Sequence, residues 1–174
     1  MIDEADFEAW FDSISPELGD AWSGAELHRR SAALRRWFHS FYEQHGPADR
    51  PSVERAFLLD LVELTRQNVR IVMPEVERTT KLRPTVEVEE FQEAVRVSVD
   101  GSYTTPSVKE WENPEALVDL AGYIQEQVID ELNSAWPVCP KHGQVLIPEV
   151  HNGVGTWWCR PEDHAVCEIG QLGA

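Results

Sequence analysis

Apolar residues recur every three or four positions through the first third of the chain. Phe7, Trp10, Phe11 and Ile14 share one helical face between Asp3 and about Ile14, with acids filling the other. Ser15-Pro16-Glu17 then has the form of an N-cap followed by Pro at the first helical position, which predicts a short second turn. Ser23-Gly24-Ala25-Glu26 matches a capping box, in which the Ser oxygen accepts from the backbone three residues on and the Glu reaches back. The long helix it opens would carry Leu27, Leu34, Trp37, Phe38, Phe41 and Tyr42 on one stripe and stop at Gly46-Pro47. A fourth helix, from about Ser52 to Asn68, has Val53, Ala56, Phe57, Leu61 and Leu64 on one face with Leu58, Leu59 and Val62 beside it. That width predicts burial between neighbours.

The period changes near Val69. Val69-Arg70-Ile71-Val72-Met73 is β-branched and of strand length, with continuation of the preceding helix as the alternative. Pro74 and Pro84 bracket a polar stretch that reads as loop. From Thr85 to Val99 the pattern alternates, with Val86, Val88, Val95, Val97 and Val99 separated by Glu87, Glu89, Arg96 and Ser98. Asp100-Gly101 is a turn signal, so an antiparallel sheet with one wet face is expected. Asn113-Pro114-Glu115 reads as N-cap, Pro and first-turn acid, followed by a helix with Leu117, Leu120, Ala121, Ile124, Val128 and Leu132 as its seam. The fold class is therefore α+β, with a helical N-terminal half over residues 1–68, then strands and a covering helix over 69–135.

Charge narrows the choice of partners. The net charge is −16 over 174 residues, and it is uneven. Residues 1–26 hold eight acids and no Lys or Arg, and residues 84–137 hold twelve acids and two basic residues. A body this acidic repels phosphates, which disfavours nucleic acid as its partner. Arg29, Arg30, Arg35 and Arg36 form the one basic run, which reads as the solvated face of a helix paired with the acidic N-terminus. No apolar run approaches the ~18 residues of a membrane-spanning helix, and the N-terminus is acidic where a signal peptide would be basic. A cytoplasmic protein is the expectation, and three Cys in that compartment point to metal or free thiols over disulfides.

Two segments carry metal chemistry. Residues 139–142 read Cys-Pro-Lys-His, and residues 159–167 read Cys-Arg-Pro-Glu-Asp-His-Ala-Val-Cys. A Cys-x2-His pair puts two ligands on one tight turn, and sixteen residues separate His142 from Cys159. Between the pairs lie strand candidates Val145-Leu146-Ile147 and Thr156-Trp157-Trp158, joined through Asn152-Gly153, and Ala165 to Ile169 adds a third. This order of knuckle, strand, turn, strand, knuckle and strand resembles the zinc-ribbon family over about residues 136–170, where metal stands in for a core too small to hold alone.

The resemblance implies a module over 136–174 with a structural Zn2+ and places Cys139, His142 and Cys159 at ligand positions. The fourth position departs from the commonest ribbon pattern, because residue 162 is Glu. His164, at Cys-x4-His, fits the x3–5 spacing of zinc fingers and is favoured. Cys167, at Cys-x7-Cys, is the competitor. In a regular strand the two would face opposite ways, so one would bind metal and the other pack.

No arrangement of catalytic residues stands out. Glu162 or His151 could be offered as a base, but neither sits in a recognised arrangement, and four ligands would already close the shell. His28, His39 and His45 read as surface histidines on the long helix, not a second metal site. Of the seven Trp, Trp136 and Trp157-Trp158 flank the ligands and are expected to clamp the module to the body. The sequence thus points to a non-enzymatic acidic zinc protein, a regulator or adaptor that binds a basic protein surface. The alternative is a small enzyme or nucleic-acid-associated factor whose ribbon contacts substrate.

Overall fold

Asp3 opens the first helix by accepting the Ala5 N–H on its side chain at 2.9 Å. That helix, α1 (Glu4–Ile14), buries Phe7, Trp10, Phe11 and Ile14, the four residues on its predicted apolar face. The structure, a computed structural model, describes residues 3–14, 32–91, 94–103 and 114–173. The turn at Ser15-Pro16-Glu17, the capping box, Trp22, Leu27, His28, Arg29, Arg30, Trp111 and Asn113 lie outside the described residues. Two compact units divide the chain, Met1–Asp60 and Leu61–Ala174.

In the first unit, α1 packs against α2 (Ala32–His45) through an aromatic core. Phe7 lies beside Phe11 and Tyr42, Trp10 beside Phe38 and Tyr42, and Trp37 beside Phe38 and Phe57. Indole N–H groups find acceptors here as burial requires: Trp10 donates to the Ala48 carbonyl and Trp37 to Asp60, both at 2.8 Å. Part of the N-terminal acidity is met locally. Arg35 of α2 is ion-paired with Glu8 and lies 3.9 Å from Glu4, while His39 is 3.7 Å from Glu4. These pairs are half-exposed and contribute at most ~1 kcal/mol each. Gly46, at φ 72°, ends α2 with its N–H on the Tyr42 carbonyl.

The third helix, α3 (Arg50–Thr80), is far longer than the 52–68 expected, and it begins in the first unit and runs into the second. Asp49 caps it, accepting the Ser52 N–H at 3.1 Å. Of the two readings of Val69–Met73, strand or continued helix, the helix is the one observed, and Pro74, read as the start of a loop, is helical too. Packing outweighs propensity here. Val72 and Val76 are fully buried one turn apart, with Val69 and Met73 beside them, so the β-branched run is a helical stripe against a core. Helix ends instead at Lys81, in the left-handed conformation at φ 68°.

The rest of the second unit is two small sheets around a helix. Strands β1 (Val86–Phe91), β2 (Ala94–Val99) and β3 (Ser102–Tyr103) form an antiparallel sheet in that order. Val95, Val97 and Val99 of β2 are buried, as alternation predicts. Asp100 and Gly101 both take positive φ, the requirement of a tight two-residue hairpin turn, between paired Val99 and Ser102. The covering helix, α4 (Glu115–Leu132), buries Leu117, Leu120, Ala121, Ile124 and Val128 of its predicted seam, and Gln125 with them.

Strands β4 (Ile147–His151), β5 (Val154–Cys159) and β6 (His164–Glu168) form the second antiparallel sheet, with Asn152-Gly153 as the β4–β5 turn. Val145 pairs with Val138 outside the sheet, so the first strand starts two residues later than expected. Segment 136–174 lies wholly inside the second unit. Trp136, Cys139, Leu146, Trp157, Cys159, Ile169 and Leu172 share one cluster with Val72 and Val76 of α3, Val97 and Val99 of β2, and the seam of α4. Full burial of a side chain such as Leu146 or Ile124 stabilises by roughly 1.5–3 kcal/mol.

Candidate metal centre

The first knuckle is a narrow hairpin. The Leu146 N–H bonds the Pro137 carbonyl at 2.8 Å and the Cys139 N–H bonds the Gln144 carbonyl at 2.7 Å. At the tip, Gly143 at φ 66° turns its N–H onto the Cys139 carbonyl at 2.8 Å, a reversal that glycine makes without strain. This fold-back brings His142 over Cys139. The second knuckle follows β5. Cys159 ends that strand, a 3-10 turn with Pro161 follows over Arg160–Glu162, and Asp163 at φ 47° returns the chain to His164 at the start of β6.

The four residues converge. Their donor atoms all lie within 4.8 Å of one another. His142 Nδ1 is 3.4 Å from the Cys139 sulfur and 3.7 Å from the Cys159 sulfur, and His164 Nε2 is 3.7 Å from the Cys139 sulfur. A tetrahedral ion with Zn–S of ~2.3 Å and Zn–N of ~2.0–2.1 Å has S···N edges of about 3.6 Å. The three S···N separations match that edge, and all four donors are close enough to hold one metal ion. The remaining ring nitrogen of His164 lies 3.4 Å from the Glu162 carbonyl, the kind of outer contact that fixes which nitrogen faces a metal.

Electrostatics at the sulfurs favour one thiolate. Burial opposes ionisation of Cys139, yet the backbone N–H groups of Lys141 and His142, the Cys159 thiol and the Lys141 charge carry it below the ordinary thiol value. Burial and the neighbouring Cys139 push Cys159 up, against the pull of the Glu162 N–H. A bound dication would reverse that second shift, since a coordinating thiol is deprotonated by the metal.

Cys167 stands apart from this group. The reason differs from the expectation that it and His164 face opposite ways. Cys159 pairs with His164 and Trp157 pairs with Cys167, but the register shifts between Trp157 and Trp158. This bulge inserts one extra residue in β6 and returns His164 and Cys167 to the same face. They are separated along the sheet instead, by two positions of β5, about 7 Å. Burial, with the Glu75 carboxylate adding to it, lifts the Cys167 thiol to about 11.

Trp136 and Trp157 clamp the module to α3 as expected. Trp136 donates to the Thr79 hydroxyl at 2.8 Å, Trp157 donates to Glu75 at 3.0 Å, and the two rings meet edge to face. Trp158 does something else: it stacks on His151 at 3.5 Å. His151 in turn bonds Glu149 at 3.1 Å, so this candidate base is engaged outside the metal group.

Two residues that hold the module escaped sequence reading. Glu75, fully buried, accepts the Trp157 indole N–H on one oxygen and the Gly170 and Leu172 backbone N–H groups on the other. Gln125 donates to the Trp136 carbonyl at 2.9 Å and the Leu146 carbonyl at 2.6 Å. The available signal was a polar residue inside each apolar stripe, between Val72 and Val76 and beside Ile124 and Val128.

Among the described residues this is the one Cys/His/carboxylate group placed to hold a metal ion. No protein-family model, curated protein or solved structure matches the chain. Fold and site together define an α+β protein with a Cys2His2 group able to hold a metal ion.

Proposed function

We propose that Cys139, His142, Cys159 and His164 bind a structural zinc ion. The observation that carries this is the donor set itself: two imidazoles and two cysteines 1% and 0% exposed, with donor atoms within 4.8 Å of one another and three S···N separations near a tetrahedral edge. Four protein ligands leave no position for a water or substrate, so the ion ties the hairpin at Cys139 to the β5–β6 turn and does no chemistry. Because the ligands come from segments seventeen residues apart or more, binding energy becomes folding energy of the β4–β6 module.

The protein itself is proposed to act by macromolecular contact, as an acidic, non-enzymatic adaptor or regulator for a basic protein surface. What supports this is the net charge of −16 and its concentration in residues 84–137. Arg96, the only basic side chain of that stretch among the described residues, is already ion-paired with Glu89 and held against the Phe91 and Tyr103 rings. Glu87, Glu126, Asp130 and Glu131 of the same stretch are exposed. Association with a basic protein partner that weakens as salt rises is the expected result. Tight, salt-steep binding to duplex DNA contradicts the proposal.

A further inference from the structure

We infer that Gln125 is a positioning residue for the metal centre, holding the first knuckle in its ligating shape before metal arrives. The inference rests on the structural-zinc reading above. The knuckle is a hairpin whose arms are cross-linked toward the tip by the Cys139–Gln144 backbone bond and at the base by the Leu146–Pro137 bond. A side chain from another element adds a second tie at that base. The Gln125 carboxamide, on α4 and 7% exposed, donates to the Trp136 carbonyl on the incoming arm and the Leu146 carbonyl on the outgoing arm. One NH2 group thereby spans both arms.

The consequences are geometric. Cys139 lies three residues past Trp136 and His142 lies four before Leu146, so any opening or tilt at the base displaces both ligands together. Trp136 and Leu146 belong to the buried cluster, where an unpaired carbonyl is costly. Without the carboxamide the arms must shift to find other donors. Glu75 provides the contrast. It is buried too and holds the same module, but through the Trp157 indole and the tail N–H groups of Gly170 and Leu172, with no bond to either knuckle's backbone. A purely structural role would make Gln125 and Glu75 alike in their effect on metal; a positioning role separates them.

The test titrates the whole chain with Co2+, read by the visible absorption of four-coordinate thiolate-bound cobalt, and with Zn2+ against a chromophoric chelator. Wild type, Gln125→Met and Glu75→Gln are compared, since Met keeps the length of Gln and removes both donors. The expected result is an unchanged cobalt spectrum for Gln125→Met with affinity weaker by about tenfold or more, the range for outer-shell partners of metal ligands. Glu75→Gln, although less stable to heat, shifts affinity less. Wild-type affinity in Gln125→Met overturns the inference, as does a loss in both variants that simply follows their thermal stability.

Hydrogen exchange on metal-free wild type tests the same point without any variant. Protection of the Cys139 and Leu146 amides is expected, and rapid exchange at both overturns the pre-formed knuckle. A wild-type chain that binds neither ion overturns the zinc reading itself, and this inference with it. A wild-type chain that binds both with Gln125→Met unaffected overturns this inference alone.

Discussion

Cys159 and His164 face each other as paired residues across the β5–β6 turn, so a four-residue loop delivers a sulfur and an imidazole to one side of the sheet. Direct cross-strand pairing explains why His164 joins the group that Cys139 and His142 begin. The His164→Ala variant is therefore expected to lose tight zinc binding, with affinity down by a hundredfold or more. A chelator-competition titration measures it. Cys167→Ala, two positions along the sheet, is expected to titrate like wild type.

Removing the metal should loosen one part of the chain. A bound ion would join the Cys139–His142 hairpin to the Cys159–His164 turn, and the stabilisation it provides would follow its concentration over its dissociation constant. Chelation is expected to speed hydrogen exchange at His164 and along the Arg160–Glu162 turn. Amides in α1 and α2, in the other unit, should be unchanged. Uniform acceleration through α1 and α2 would contradict a local, structural ion.

Glu75 makes a separate prediction. Gln in its place must set an NH2 against a donor that Glu75 now accepts, so Glu75→Gln is expected to cost about 1–3 kcal/mol in denaturant unfolding of the metal-free chain. The pH dependence has a definite sign. Burial raises the Glu75 carboxyl above its ordinary 4.5, against the opposing N–H groups of Leu172, Trp157 and Gly170. A folded value above the unfolded one contributes stability that is complete below the unfolded value and lost as pH rises through the folded value. The cost of Glu75→Gln should thus be larger near pH 5 than near pH 8, and a flat difference would count against this assignment.

Pro74 is exposed in the interior of α3, where it offers no N–H to the Arg70 carbonyl one turn back. Pro74→Ala is expected to stabilise the chain by about 2 kcal/mol. That figure is the roughly 3 kcal/mol penalty of interior Pro less about 1 for the looser unfolded chain. Thermal unfolding checks it, and a lower melting temperature would show that the ring contributes packing beyond its exposed face.

Pro74 also marks where sequence reading failed. Proline and a β-branched run are local signals for strand and loop, but the Val72 and Val76 stripe answers to partners far away in sequence, and no local pattern contains them. The bulge in β6 is of the same kind, since register shifts arise from packing between strands. Legible features were short-range: the Cys-x2-His and Cys-x4-His pairs, the Asp100-Gly101 and Asn152-Gly153 turns, and the seam of α4. Glu75 and Gln125 fell between. Their positions were visible as polar interruptions, but their hydrogen-bond partners, up to 97 residues away, were not.

The central claim is the identity and exclusivity of the four ligands, and metal analysis of purified protein reads it directly. One zinc per chain is predicted for wild type and for Cys167→Ser, and none for Cys139→Ser or Cys159→Ser. Stoichiometric zinc that survives loss of both Cys139 and Cys159, or disappears with Cys167 alone, would contradict the account.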